Sequence, residues 1–229
     1  MNKNDDENLM WINEPHQILC LLIDTSGSMG ANIKNNPIGQ INEYFEHCTF
    51  EGHKFDLIDV AVVGFNHNAF IVQDFTPLSK LRPFVLSADG PTAMGEGINK
   101  ALDMVRERTR LYCEFGTPCF RPLIIMITDG ESTDDLSNAI NRIEELEEKN
   151  KLKMCAAGIM GCNCDELKRI TRSALYIDIE ETSLSEFLDY IFASIMGLTA
   201  QARDVPGECP KPVELPDGIS LIHADWDWL

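Results

Sequence analysis

Basic residues are scarce: 19 Lys and Arg stand against 37 Asp and Glu in 229 residues, a formal net charge of −18. Affinity for nucleic acid comes chiefly from Lys and Arg neutralising phosphates. This deficit, with no long basic run, therefore argues against nucleic acid and against anionic membranes as partners. An acid excess suits cations and basic proteins better. Long hydrophobic runs are missing too, since no stretch approaches the roughly 18 apolar residues of a membrane span. The opening MNKNDDENLM is polar and acidic where a secretory leader is basic and then apolar, so a cytoplasmic protein is expected.

Hydrophobic residues nevertheless make up 44% of the chain, an ordinary globular proportion that predicts a sizeable core and excludes disorder throughout. Eight cysteines are present. Two of them, Cys20 and Cys155, fall inside apolar, strand-like runs where free thiols are commonly buried. Continuous apolar runs at 18–23, 57–65, 123–128 and 154–159, with shorter ones at 69–72 and 175–179, predict strands covered on both faces. Between them apolar residues recur at helical spacing: Ile38, Ile41, Phe45, Cys48; Met94, Ile98, Leu102, Val105; Leu136, Ile140, Ile143, Leu146; and Leu184, Leu188, Ile191, Ile195, Leu198. Ser183 followed three residues on by Glu186 is a capping-box pattern that starts the last helix near Leu184.

Strand and helix thus alternate, which predicts a doubly wound α/β fold: a mostly parallel central sheet of about six strands with helices on both faces. The runs at 57–65 and 69–72, separated by Asn66, His67 and Asn68, read as a hairpin contributing one antiparallel edge strand. The predicted organisation is a polar arm at 1–14, the α/β domain at 15–200, and a tail at 201–229. That tail opens as a linker containing Pro206, Pro210, Pro212 and Pro216 and ends in acidic sequence around Trp226 and Trp228.

The first strand runs directly into Asp24, Thr25, Ser26, Gly27 and Ser28, so a carboxylate and two hydroxyls leave the sheet edge in one tight loop. The run at 123–128 ends likewise in Asp129 and Gly130. In a doubly wound sheet that brings a second carboxylate to the same edge. Thr92, in the loop Gly90, Pro91, Thr92, Ala93 before a helix, offers a further hydroxyl. Oxygen-only donors with two carboxylates suit Mg²⁺ or Mn²⁺, whereas zinc prefers His or Cys.

In these segments the chain resembles the von Willebrand factor A domains. Their metal-ion-dependent adhesion site (MIDAS) uses a DxSxS motif after the first strand, a threonine from a middle loop and an aspartate after the fourth strand. Asp24, Ser26 and Ser28 match the motif, Thr92 the threonine and Asp129 the aspartate, over roughly residues 15 to 200. The resemblance implies a non-enzymatic binding module with no catalytic residue, whose metal keeps one position open for a Glu or Asp of a partner protein. More closely, IDTSGSM, TPLSKLRPF, GPTAMGEGI and MITDGESTDD are similar to the tellurium-resistance TerY-type subfamily of bacterial cytoplasmic proteins. That implies a stress-response complex with a protein kinase and a PP2C-type phosphatase as partners. The stretch 31–36 lengthens the loop before the first helix, and the tail matches nothing in that pattern.

An alternative is a Mg²⁺-dependent aspartyl phosphotransferase or phosphatase of the haloacid-dehalogenase type, which also places an Asp after an apolar strand. That chemistry needs a second Asp two residues on as general acid/base, where this chain has Ser26. Cys162 and Cys164, with Cys113 and Cys119 elsewhere, lack the paired spacing of a thiolate zinc site. Glu144, Glu145, Glu147 and Glu148 read as a solvated helix face. Glu131, Asp134 and Asp135 either rim the metal loop or begin a helix. Trp226 and Trp228 either dock on a partner or fold back onto the domain's own surface.

Overall fold

The computed structural model describes residues 14–30, 36–159, 161–180, 182–204 and 215–222. Residues 1–13 of the expected arm at 1–14, residues 31–35 of the loop insertion at 31–36, the prolines at 206, 210 and 212, and the tryptophans at 226 and 228 lie outside the described residues. Among the described residues seven strands form one sheet: β1 (Gln17–Asp24), β2 (Ile58–Phe65), β3 (Ala69–Pro77), β4 (Leu123–Thr128), β5 (Lys153–Ile159), β6 (Ala174–Ile177) and β7 (Ile219–Leu221). Their order is β3-β2-β1-β4-β5-β6-β7. Strands β2, β1, β4, β5 and β6 pair in parallel, while β3 and β7 close the two edges antiparallel.

Every residue of β1 is buried because helices cover both sides of it. Its side chains alternate between two cores. Leu19, Leu21 and Ile23 pack with α1 (Pro37–His47) and α5 (Leu184–Asp204), whereas Ile18, Cys20 and Leu22 pack with α2 (Met94–Phe115), α3 (Ser137–Glu148) and α4 (Cys164–Ile170). The helix faces in these cores are those their spacing predicts, including Ile38, Ile41 and Phe45 on α1 and Met94, Ile98, Leu102 and Val105 on α2. At the start of α5 the Ser183 amide donates to Glu186 Oε2 (2.8 Å) and the Glu186 amide to Ser183 Oγ (3.1 Å), a reciprocal capping box. No described helix is long and apolar enough to cross a membrane.

One charged cluster sits inside the second core. The Arg108 guanidinium donates to Asp59 Oδ2 from Nε (3.1 Å) and Nη2 (2.9 Å), and the Tyr112 hydroxyl donates to the same oxygen. Arg108 and Asp59 are both buried. This ion pair ties the middle of α2 to the start of β2.

The hairpin at 57–72 forms as expected, but β3 extends to Pro77 along the sheet edge, with most residues half-exposed. Strand β7 and helix α4 go beyond the sequence reading, as does a four-residue helix at His53–Asp56. Strand β7 adds a second antiparallel edge; three residues among prolines carry no readable period. Helix α4 has only seven residues, too few for a periodic stripe.

Candidate functional site

Strand β1 lies between β2 and β4, with crossovers leaving it in opposite directions, so a crevice opens at the carboxyl ends of β1 and β4. Asp24 closes β1 there, fully buried. Its Oδ1 accepts the Ser26 amide (2.8 Å) and its Oδ2 the Thr128 hydroxyl (2.5 Å), so its own loop and the neighbouring strand both fix the carboxylate. A 3-10 turn at Gly27–Gly30 then presents Ser28 to solvent. The Ser28 hydroxyl donates to Asp129 Oδ1 (2.7 Å), and Ser26 Oγ lies 3.1 Å from Ser28 Oγ. A hydroxyl carries one proton, so with Ser28 donating to Asp129, Ser26 donates to Ser28.

The Thr92 loop is fastened to the Asp24 loop by backbone bonds. The Asp89 amide donates to Thr25 O (2.9 Å) and the Gly27 amide to Gly90 O (3.0 Å). Gly90 takes a positive φ of 76°, which a side chain would strain. A Cβ built on Gly130 would stand 3.4 Å from Thr92 Oγ1 and 3.8 Å from Asp24 Oδ2, so Thr92 and Asp24 approach one point across Gly130. The structure therefore brings Asp24, Ser26, Ser28, Thr92 and Asp129 together at one sheet edge.

Both carboxyls are held above the ordinary aspartate range. For Asp24 burial is the main cause, reinforced by the Asp129 charge and opposed by hydrogen bonds from Thr128 and Ser26. For Asp129 burial again dominates, opposed by the Ser28 hydroxyl. The groups that lower them are hydroxyls and amides, with no Lys or Arg among them. Two desolvated carboxylates beside three hydroxyls and no counter-charge are a donor set that fits a hard divalent cation.

The other acids of this edge brace the loops. Asp134 accepts the Gly95 and Glu96 amides, both at 2.9 Å, and so caps α2, whose own Ala93 offers no side-chain cap. A Cβ on Gly95 would meet Asp135 O at 2.7 Å, so glycine is required where the two loops touch. Asp135 accepts the Ser137 amide (2.9 Å) and hydroxyl (2.7 Å) at the start of α3. Glu131 accepts from Asn163 (2.9 Å). Of the two readings for these acids, helix and loop support is the one the hydrogen bonds show. Sequence reasoning missed Asn163 and Glu166: Asn163 caps α4, and Glu166 Oε1 accepts the Ser132 amide (2.7 Å), pinning the Asp129 loop. The signal was there in Asn163 followed by acidic Asp165 and Glu166, an N-terminal cap with a favourable first turn.

Cys162 Sγ and Cys164 Sγ lie 3.9 Å apart, and burial, with Cys164 as neighbour, pushes the Cys162 thiol up to about 12. Among the described residues no three His, Cys, Asp or Glu side chains gather as a metal cluster. The five-residue set has only two carboxylates, and its remaining donors are hydroxyls.

A doubly wound sheet with an acid and hydroxyl cluster at its switch point has the architecture in which α/β domains place their ligands. The chain belongs to the von Willebrand factor type A domain family, whose model matches residues 19–189. Domains of this family are generally protein-interaction or adhesion modules, and their MIDAS binds divalent metals. Among curated proteins none matches significantly. Among solved structures, proximal thread matrix protein 1 from the mussel byssus, in a form with zinc in its MIDAS motif, is 21% identical with a TM-score of 0.50. That match covers 82% of this chain and 47% of the mussel chain. BatB from Bacteroides thetaiotaomicron is 18% identical at a TM-score of 0.50, covering 81% of this chain and 99% of that one. The pilus adhesin SpaC from Lactobacillus rhamnosus GG is 13% identical at 0.57, covering 81% and 31%. The chain thus spans under half the length of the mussel protein and about a third of the adhesin, and these likenesses concern the fold.

Proposed function

We propose that Asp24, Ser26, Ser28, Thr92 and Asp129 hold one divalent cation, Mg²⁺ or Mn²⁺, and that the chain acts as a non-enzymatic protein-interaction module. The observation that carries this is the bond from Ser28 to Asp129, which joins two loops through a line of oxygens beside a second buried carboxylate. A bound divalent ion supplies an electrophilic centre for a Glu or Asp side chain of a partner. Asp24, locked by Thr128 and Ser26, keeps its oxygens fixed toward the crevice. Ser28 and Asp129 lie toward solvent, where a partner reaches them.

The all-oxygen donor set favours Mg²⁺ or Mn²⁺ over zinc. The IDTSGSM, TPLSKLRPF, GPTAMGEGI and MITDGESTDD blocks support a cytoplasmic TerY-type protein within a stress complex. Its candidate partners are a protein kinase and a PP2C-type phosphatase. Ser26 in place of a second Asp speaks against the phosphotransferase alternative, since a serine cannot supply the proton.

The test is calorimetric titration of Mg²⁺ and Mn²⁺ into the chelator-stripped chain, beside capture of partners in Mg²⁺ and in EDTA. Asp24→Ala should abolish both metal binding and metal-dependent capture while the far-ultraviolet circular dichroism stays native. Partners that bind equally in EDTA would remove the metal from recognition, and turnover of an aryl phosphate with Mg²⁺ would replace this reading with phosphotransfer.

A further inference from the structure

At the opposite end of the sheet from the Asp24 loop, a cavity of about 550 Å³ opens among the residues that precede β4, β5 and β6 and those that end α3 and α4. Its lining holds Arg121, Lys153, Lys168, Arg169 and Arg172, five basic residues of the chain's 19. Glu144, Glu147 and Glu148 share that lining. Glu147 is engaged within the fold, its Oε1 accepting the Met154 amide (3.0 Å); burial pushes its carboxyl up, opposed by that bond and by Lys153, Arg172 and Arg121. Among the described residues Arg169 and Arg172 make no hydrogen bond or ion pair, and both are exposed. Leu152 and Ile170 add apolar lining. Ser173, 1% exposed, also lines the cavity, and its buried hydroxyl has no hydrogen-bond partner among the described residues. An acceptor arriving beside it would give that hydroxyl the partner it lacks.

Strand β7 determines what arrives there. Because it runs antiparallel to β6, it carries the chain back to the end of the sheet where the cavity lies, and the Ile222 amide donates to Ala174 O (3.0 Å), next to Ser173. The sequence that follows, 223–229, is HADWDWL, with Asp225 and Asp227 alternating with Trp226 and Trp228. Three residues extended span up to roughly 10 Å, so Asp225 is within reach of Arg172 and Ser173. Carboxylates pair with unpaired guanidinium groups, and indole faces attract them as well.

We propose that this cavity is the docking site for the chain's own acidic tryptophan segment, residues 223–229, in cis. The charge complementarity, the exit point of β7 and the unpaired Ser173 hydroxyl each point to that occupant. The site is separate from the Asp24 crevice and owes nothing to metal.

Tryptophan occurs only at positions 11, 226 and 228, so in a Trp11→Phe chain the emission reports this segment alone. The measurement is acrylamide quenching and emission maximum at low salt for that chain, with Arg169→Glu/Arg172→Glu and, separately, Asp225→Asn/Asp227→Asn. Lys80→Glu, exposed at the other edge of the sheet, is the control. Docking gives a blue-shifted, protected emission that both pairs shift to the red and expose while Lys80→Glu does not. Emission insensitive to both pairs overturns the proposal, and protection that grows with protein concentration overturns the cis occupant in favour of a second copy. The aspartate pair decides the matter alone if the arginine pair fails to fold.

Discussion

At the scale of single residues, Asp24 and Asp129 are held protonated more readily than ordinary aspartates, chiefly by burial. A carboxyl raised in the folded state binds its proton more tightly there than in the unfolded chain. Stability in metal-free buffer therefore declines as pH rises from the ordinary value of 3.8 through the raised values. Asp129→Asn removes one such group, so thermal melts in EDTA should show a flatter pH dependence for the variant than for the parent; an unchanged slope would show that Asp129 is not raised. With Mg²⁺ present the sign reverses, because the cation needs ionised carboxylates and competes with protons. Arg108 makes a second residue-scale case. Arg108→Ala leaves Asp59 charged and buried, and urea unfolding should reveal a loss of about 3–5 kcal/mol. A loss below about 1 kcal/mol would mean that water or relaxation replaces the guanidinium. Legibility at this scale divides by chemistry. That Asp24, Ser26, Ser28 and Asp129 meet at one sheet edge was readable because they lie at or just beyond the ends of two buried strands, and Thr92 because its loop precedes a helix. The pairing of Asp59 with Arg108 was not, because partners 49 positions apart leave no local pattern.

Among the elements, the long ones were legible and the short ones were not. Ile38, Ile41 and Phe45 of α1, Met94, Ile98, Leu102 and Val105 of α2, Leu136 and Ile143 at α3, and Leu184, Leu188, Ile191 and Ile195 of α5 are buried as their spacing predicts, while Cys48, Ile140 and Leu146 are partly buried, and the Ser183 box closes as expected. Helix α4 escaped because it is held by its ends: Asn163 Oδ1 accepts the Asp165 and Glu166 amides at 3.1 and 3.2 Å. Asn163→Ala should accordingly cost about 1–2 kcal/mol in urea unfolding. It also severs the Glu131 contact and loosens the Asp129 loop, so Mg²⁺ affinity should fall alongside stability. Lost stability with unchanged affinity would confine Asn163 to capping. The β7 edge shows the same limit, since tertiary pairing with β6 makes it a strand and nothing in its three residues does.

Across the whole molecule, the net charge of −18 works against compactness, because like charges repel over roughly a Debye length. Added NaCl screens that repulsion, so the melting temperature of the metal-free chain should rise between about 10 and 150 mM salt. A fall would mean that attractive pairs outweigh the repulsion. The fold class was legible at this scale because alternation of strand and helix leaves few arrangements open. What alternation does not disclose is which loops touch, and the clamp of Asp134 on the start of α2 belongs to that hidden part.

The bond between Ser28 and Asp129 spans 101 positions, and that between Asp24 and Thr128 spans 104. Neither half of the crevice exists until more than half of the polypeptide has been synthesised and β4 has found β1. Long-range pairing of this kind forms slowly. During translation the amino-terminal carboxylate must wait beside an unpaired strand edge, exposed to chaperones and to competing strands. Metal affinity, as proposed for this crevice, would then mark the joining of β4 to β1 before β5 and β6 are added: a ribosome-tethered chain would gain it only after residue 129 has cleared the exit tunnel.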